Sequence, residues 1–214
     1  MKSEDFVSFV KTLPVRSFHK DELLLASDDP SDTFLAIREG YVKATSTEDS
    51  GRERLLWLAG RYDIVPLERF FTRKPLQYDY VGYSDGSAYV VSKDQLLALI
   101  DEHPSAAAEV AKGMSEHLDD ISERLSAVGQ ADVRRKVLHT LYGIATKFSS
   151  REVVELDAIG LNLTHQDIAD MIGASREVVS TELSKARSDG YVDYSRSTLS
   201  VDTVKIRDTL GLLA

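Results

Sequence analysis

Apolar residues in the first hundred positions come in short runs that are separated by turn-forming residues. Asp, Ser and Pro fill the segment 27–32, and Glu39-Gly40 forms a second break. Many short strands at nearly regular spacing are typical of a β-sandwich or barrel. The segments predicted to be extended in this part of the chain include 23–25, 34–37, 41–45 and 54–58.

Two hairpins are predicted within this β-rich part. The polar stretch between 41–45 and 54–58 predicts the first, and Ser-Asp-Gly-Ser between 78–83 and 88–91 predicts the second. Residues 6–13 predict a short helix docked on the β domain.

Residues 105–128 follow a helical period, with apolar side chains three and four positions apart. A narrow apolar stripe on so long a helix predicts a seam between two copies of the chain. The alternative is that the stripe packs on the chain's own sandwich. The stripe consists of Val110, Met114, Leu118, Ile121, Leu125 and Val128.

The helical period resumes after Gly129. One amphipathic helix ends near Phe148, and three further helical stretches follow, interrupted by a predicted strand pair at 191–194 and 199–201. The inward positions of the first of these helices are Val133, Val137, Leu138, Leu141, Tyr142 and Ala145.

The formal charge of −9 argues mildly against nucleic-acid binding, but the charge is unevenly distributed. Residues 1–129 carry 15 basic and 23 acidic side chains, whereas residues 130–214 carry 11 and 12. The C-terminal part is therefore near neutral, which permits DNA binding if its basic groups share a face.

The sequence composition argues against several other classes of protein and of binding site. No apolar stretch exceeds five residues, and the acidic N-terminus lacks the apolar core of a secretion signal, so we expect a cytoplasmic protein without a membrane partner. The absence of cysteine excludes an iron–sulfur cluster held by thiolates. The acidic residues around His117 are interpreted as a solvated helix face, and no metal site is predicted.

Residues 164–189 carry the strongest functional pattern. Thr164 is a suitable N-cap with Asp167 three residues on, and Gly173 stands where the chain must turn. Ser175 can cap a second helix whose predicted inward residues are Val178, Val179, Leu183 and Ala186. A small Ala169, the turn glycine four later and an apolar Val179 six beyond it indicate a helix-turn-helix. An ordinary helical hairpin is the alternative.

The first turns of the second helix of such a motif face base edges in the major groove. The predicted base-reading residues are Arg176, Glu177, Ser180 and Thr181. Arg donates to guanine O6 and N7, and Glu accepts from cytosine N4, so this pair suits a step containing G and C. The alternative for Arg176 and Glu177 is an exposed ion pair on a helix surface.

Phosphate contacts are predicted at the starts of the two helices and at the tip of the strand pair. Backbone N–H groups and short polar side chains there can hold a phosphate without reading sequence. The residues concerned are Thr164, His165, Gln166, Ser175 and Arg196.

The segment 164–180, followed by Gly190-Tyr191-Val192, resembles the winged helix of the CRP/FNR family of bacterial transcription regulators. The order sandwich, long helix, winged helix resembles that family over essentially the whole chain. The resemblance implies an α+β protein with a cupin-like, cyclic-nucleotide-binding-like antiparallel jelly roll at 1–104, a dimerisation helix at 105–129 and a winged helix-turn-helix at 130–214. It also implies a homodimer on an inverted-repeat operator in double-stranded DNA, with RNA polymerase as a partner. Thr181 stands where the family usually has a second arginine.

The predicted sensor domain departs from the cyclic-nucleotide branch of the family. Its phosphate cassette needs Gly-Glu and, a short way on, Arg-Ser, whereas this chain has Pro66-Leu67-Glu68 and Gln77-Tyr78 at these places. Cyclic AMP is therefore not expected as the effector. The aromatic residues of this domain could line a pocket for haem or another small effector. Haem would need an axial ligand, and the spacing of the five histidines does not identify one. A candidate effector pocket comprises Trp57, Tyr62, Pro66, Leu67, Tyr78 and Tyr80, and sandwich core is the alternative reading of these side chains.

The sequence thus predicts an effector-controlled, sequence-specific DNA-binding regulator that is not an enzyme. One rival is a constitutive regulator of the same fold that has lost its effector. The other is a cupin-like enzyme, which would need a cluster of His and carboxylate ligands on strands. Only His19 precedes His103, so the β domain cannot supply that cluster.

Overall fold

A computed structural model describes residues 4–48, 51–72, 75–128, 132–149, 151–155, 160–195 and 198–212. The chain divides into two compact units, Met1–Asp119 and Asp120–Ala214, and the division falls inside the long helix Pro104–Val128. The boundaries 1–104, 105–129 and 130–214, which give that helix a segment of its own, stay a prediction.

The N-terminal unit begins with a short helix, continues through eight strands of a β domain and ends in helices. A single 3₁₀ turn, Leu67–Arg69, lies between the sixth and seventh of these strands. The elements are α1 (Glu4–Val10), β1 (Val15–Phe18), β2 (Leu23–Leu25), β3 (Thr33–Glu39), β4 (Val42–Thr47), β5 (Glu53–Ala59), β6 (Ile64–Val65), β7 (Asp79–Gly82), β8 (Gly86–Ser92), α2 (Lys93–Glu102) and α3 (Pro104–Val128).

The strands form two antiparallel sheets, in the orders β1-β8-β3-β6 and β2-β7-β4-β5. Strands that are consecutive in the chain mostly lie in different sheets, which is the arrangement of a jelly roll. The predicted fold class, an antiparallel jelly roll within an α+β chain, is confirmed.

One predicted hairpin is confirmed and the other is wrong. β4 pairs with β5 from Val42–Ala59 to Thr47–Glu53. β7 and β8 do not pair, because β7 lies between β2 and β4 whereas β8 lies between β1 and β3 in the other sheet. The segment between β7 and β8 instead passes from one sheet to the other. Within it, the backbone N–H groups of Tyr83 and Ser84 donate to the carbonyl of Tyr41.

The apolar run of β3 is buried on both of its faces. Phe34 and Ala36 lie in a core with α1, α2 and the start of α3, whereas Leu35 and Ile37 lie in a second core together with residues of the other sheet. We call these the helix-side core and the inter-sheet core. A strand that is buried on both faces has a continuous run of apolar residues, as residues 34–37 do.

The C-terminal unit is a set of helices with a small antiparallel sheet in the order β10-β11-β9. The sequence predicted β10 and β11, which pair from Val192–Val201 to Ser195–Thr198. It missed β9, which pairs with β11. The elements are α4 (Val133–Phe148), β9 (Val153–Glu155), α5 (His165–Ile172), α6 (Arg176–Ser188), β10 (Val192–Ser195), β11 (Thr198–Asp202) and α7 (Thr203–Leu210).

The described residues form helices of at most 25 residues. None of the helices there combines the length and the apolar character that crossing a bilayer demands.

Candidate DNA-binding surface

The start of α5 is fixed by a reciprocal pair of hydrogen bonds. The side chain of Thr164 accepts from the backbone N–H of Asp167 at 3.1 Å, and the Asp167 carboxylate accepts from the N–H of Thr164 at 2.8 Å. This is a complete capping box, which satisfies two of the free donors of the first turn. The cap that the sequence predicted at Thr164 is confirmed.

The turn between α5 and α6 depends on a glycine. Gly173 ends α5 with φ 66° and ψ 37°, in the left-handed region. Side chains with a Cβ are strained in that region, whereas glycine is not. Ala169 is fully buried beside the turn, and its carbonyl accepts from the N–H of Ala174 at 3.0 Å. The turn therefore holds the two helices of the motif at a fixed angle.

One face of α6 is buried and carries no functional group. Val179, Leu183 and Ala186 are at most 1% exposed. Val178 was predicted to lie inward as well, and this is wrong because it is 42% exposed. A helix turns by about 100° per residue, so the position before Val179 lies off the buried stripe.

The opposite face of α6 presents its first residues to solvent. Arg176, Glu177 and Thr181 are exposed. The backbone N–H of Glu177, the Ser175 hydroxyl and the charge of Arg176 lower the pKa of the Glu177 carboxyl. Glu177 is therefore an ionised acceptor next to a permanent donor, Arg176, which is the chemistry that base reading requires.

Ser180 differs from the other predicted base-reading residues. It is half-buried, and its hydroxyl lies 2.8 Å from Nδ1 of His165 on α5. The Thr181 hydroxyl donates to the carbonyl of Glu177 at 3.0 Å. Ser180 thus joins the two helices of the motif, whereas Thr181 stays on the outer face.

Most of the residues predicted to contact phosphate hold a partner within the protein. Thr164 and Ser175 serve as helix caps, and Gln166 Nε2 donates to the Asp170 carboxylate at 2.7 Å. Arg196 lies outside the described residues. The phosphate contacts of all these side chains stay a prediction.

Burial and, to a smaller extent, the nearby charge of Arg176 lower the pKa of the His165 imidazole. The ring is therefore mainly neutral near pH 7, and it lacks the positive charge that an ionic phosphate contact uses.

The end of α6 is held by a cluster that the sequence analysis missed. Arg134 of α4 forms an ion pair with Asp189, and the ammonium group of Lys205 on α7 donates to the Asp189 carbonyl at 2.6 Å. Both cations lie near the Tyr191 ring, at 5.5 Å and 5.2 Å from its centroid. No spacing pattern connects positions as distant as 134 and 189, so the sequence holds no signal for this cluster.

The residues of the predicted effector pocket pack on two different cores. Trp57, Tyr78 and Tyr80 belong to or pack on the inter-sheet core, whereas Tyr62 and Leu67 pack on the helix-side core. The six residues therefore divide between two faces of the same sheet, because β3 and its neighbours separate these cores. The alternative reading as sandwich core is correct for Tyr80, which is fully buried, and Pro66 is buried as well.

A carboxylate that the sequence analysis did not select lies among these aromatic rings. Glu68 Oε1 accepts hydrogen bonds from the hydroxyls of Tyr78 and Tyr80, at 2.5 Å and 2.8 Å. The Trp57 ring packs edge-on against both tyrosines, and the His117 ring of α3 lies 4.8 Å from Trp57. His117 thus faces an aromatic ring, and among the described residues no cluster of three His, Asp or Glu could hold a metal ion.

The apolar stripe of α3 is divided between two environments. Val110 is 4% exposed in the helix-side core and Met114 packs on that core, so Val110 is not available to a seam between copies, and its assignment there is wrong. Leu118 and Ile121 are 61% and 40% exposed. The side chains of Leu125 and Val128 lie outside the described part of the chain.

Comparison with known families gives one match for each unit. Residues 15–103 match the family described as cyclic nucleotide-binding domain, and residues 135–213 match the Crp-like helix-turn-helix domain.

Curated proteins with similar sequences are transcription regulators by name. The CRP-like cAMP-activated global transcriptional regulator of Mycobacterium tuberculosis (strain ATCC 25618 / H37Rv) is 25% identical over 185 residues, covering 86% of this chain and 82% of that protein. The anaerobic regulatory protein of Bacillus subtilis (strain 168) is 26% identical over 204 residues, covering 91% and 82%.

Solved structures share the fold. FixK2 from Bradyrhizobium japonicum superposes with a TM-score of 0.76 at 18% identity, covering 92% of this chain and 96% of that one. A CooA mutant from Carboxydothermus hydrogenoformans gives a TM-score of 0.74 at 17% identity, covering 97% and 92%. At such identities the likeness concerns the fold alone.

Proposed function

The chain belongs to the CRP/FNR family of DNA-binding transcription regulators, and we propose that it acts as a homodimer on an inverted-repeat operator. In this proposal α6 of each protomer enters the major groove, and Arg176 and Glu177 read base edges. A small effector in the N-terminal unit controls binding, and RNA polymerase is the downstream partner. The proposal contains no catalytic step.

The observation that carries this proposal is the polarity of α6. Its buried face holds only Val179, Leu183 and Ala186, while Arg176 and Glu177 stand exposed on its first turn. That turn is where helix-turn-helix proteins contact bases. Each well-formed contact of Arg with guanine or of Glu with cytosine contributes about 1–3 kcal/mol of discrimination.

Selection from random double-stranded DNA tests the proposal. The full chain should enrich an inverted repeat with half-site centres about 34 Å apart. Arg176→Ala should weaken operator binding by about 1–3 kcal/mol and relax the preference at one base pair of each half-site. Arg38→Ala removes the same charge from an exposed position at the end of β3 and serves as the control. An Arg176→Ala protein that enriches the wild-type operator with undiminished preference contradicts the assignment.

The cassette that binds a cyclic nucleotide in the cyclic-nucleotide branch of the family is not present in this sequence. A phosphate diester needs a cation or a set of N–H donors. Here Glu68 places a carboxylate among the aromatic rings, and Pro66, Gln77 and Tyr78 replace the glycine, arginine and serine of the family's cassette. We therefore infer that the effector is of another chemical class.

Thermal unfolding tests this inference. A ligand at 100 times its dissociation constant stabilises the folded protein by about 2.7 kcal/mol. Cyclic AMP at millimolar concentration should leave the unfolding temperature unchanged, and a saturable increase contradicts the inference. Small-molecule extracts should raise the unfolding temperature if an effector exists, whereas a constitutive regulator would not respond to them.

A further inference from the structure

His165 connects the two helices of the proposed DNA-binding motif. It is the first residue of α5, and its Nδ1 lies 2.8 Å from the hydroxyl of Ser180 on α6. Both side chains are half-buried at this contact. A helix-turn-helix needs no such side-chain bond to keep its shape, because Val179, Leu183 and Ile168 already fill the buried face.

The contact includes one of the proposed base-reading residues, Ser180. Ser180 follows Arg176 by four positions, so the two side chains are neighbours on one face of α6. The charge of Arg176 reaches the imidazole, since it contributes to lowering the pKa of His165 after the larger effect of burial. The same ring therefore touches Ser180 and lies near Arg176.

A serine hydroxyl has one hydrogen to donate and two lone pairs to accept with. When Nδ1 carries no hydrogen, it accepts the hydrogen of Ser180, and the hydroxyl can then only accept from a base amino group, such as N4 of cytosine or N6 of adenine. When Nδ1 carries a hydrogen, it donates to Ser180, whose own hydrogen is left for guanine O6 or N7 or for thymine O4. In the first case the imidazole occupies the only donor of the hydroxyl, and in the second case it occupies one of the two lone pairs and leaves the hydrogen pointing away from the ring.

We propose that His165 is a positioning residue for base recognition, which orients the Ser180 hydroxyl and thereby sets the preference at the base pair that Ser180 faces. This inference rests on the proposed entry of α6 into the major groove. It replaces the expectation that His165 contacts phosphate. A phosphate contact would strengthen binding to all sequences alike, whereas an oriented hydroxyl discriminates between them.

Four variants of the full chain test the inference in the random-DNA selection and in competition binding. They are His165→Ala, His165→Asn, Ser180→Ala and the double variant His165→Ala/Ser180→Ala. The amide of Asn places a polar atom near the position of Nδ1, so it can replace the bond to Ser180. His139→Ala, which removes a half-buried histidine from α4, is the matched control. Circular dichroism and the unfolding temperature establish that each variant is folded.

His165→Ala should reduce the preference at one base pair of each half-site by about five- to tenfold. Binding to scrambled DNA and the salt dependence should stay as in the wild type, because a neutral ring releases no counterion. His165→Asn should restore most of the preference. The double variant should lose no more than Ser180→Ala does, because both changes remove the same interaction.

Two results overturn the inference: a His165→Ala protein that loses affinity equally for all sequences, or losses that add in the double variant. A wild-type protein that enriches no sequence overturns the proposed function itself. A wild-type protein that enriches an operator whose preference survives His165→Ala overturns only the role of His165.

Discussion

At the scale of single residues, Tyr78 and Tyr80 make the stability of the N-terminal unit sensitive to alkaline pH. Burial, followed by the charge of Glu68, raises the pKa of both Tyr78 and Tyr80. The folded protein thus keeps two protons that the unfolded chain releases near pH 10. Since the folded state then binds more protons, the free energy of unfolding should fall as pH rises above about 10, by up to about 1.4 kcal/mol per pH unit for each tyrosine. Urea unfolding between pH 9 and 11 measures this slope.

Two tyrosine variants separate this effect from general alkaline unfolding. Tyr78→Phe should make the slope shallower, because the replaced side chain no longer titrates. Tyr62→Phe removes a hydroxyl that bonds to the exposed Arg61 and should leave the slope unchanged. Equal slopes in the wild type and in Tyr78→Phe would show that Tyr78 has no part in the pH dependence.

Residue types could select candidate side chains, but they could not predict which groups those side chains contact. Arg176 and Glu177 could be selected because a helix-turn-helix fixes which turn meets the DNA. Glu68 could not, because a carboxylate near the surface and one bonded to two tyrosines look alike in a sequence. The contact of Ser180 with His165 could not be predicted either, because His165 lies on another helix and fifteen positions away.

At the scale of elements, the turn of the helix-turn-helix should tolerate no side chain at Gly173. Its φ of 66° strains a residue with a Cβ, so Gly173→Ala should lower the free energy of unfolding of the C-terminal unit by about 1–2 kcal/mol. Gly143 lies within α4, and a Cβ there would meet nothing within 4 Å. Gly143→Ala should therefore raise the free energy of unfolding by about 0.5–1 kcal/mol. Thermal and urea unfolding measure the change in the free energy of unfolding for each variant. If both variants change it in the same direction, the proposed role of Gly173 in the turn is contradicted.

Most helices were predictable from residues close in the chain, although α2 was missed, whereas strand pairings between distant segments were not predictable. The spacing of apolar residues predicted α3, α4, α5 and α6, because a helix is formed by residues close in the chain. The false hairpin between β7 and β8 arose because strand pairing depends on the whole jelly roll. β9 has only three residues, and its partner β11 follows more than forty positions later.

At the scale of the whole molecule, one apolar stripe on α3 lies in two environments that the sequence could not separate. Its residues share one period, so the pattern assigns them all to the same surface. Val110 and Met114 pack against the helix-side core, whereas Leu118 and Ile121 remain exposed in the single chain. The point at which a long helix stops packing on its own domain depends on the size and position of that domain. The spacing of hydrophobic residues contains no information on either.

The exposed part of the stripe gives a prediction for assembly. In a symmetric dimer each seam residue is buried twice, so replacing Ile121 by glutamate loses apolar burial and adds a charge in both protomers. Ile121→Glu should weaken dimerisation at least about tenfold and reduce operator binding with it. Leu97→Glu on α2 is the matched control, because Leu97 has the same 40% exposure as Ile121 but lies outside the stripe. Sedimentation equilibrium over a concentration series measures both variants. If both retain the wild-type mass, α3 does not form the seam, and dimerisation must be sought on another surface.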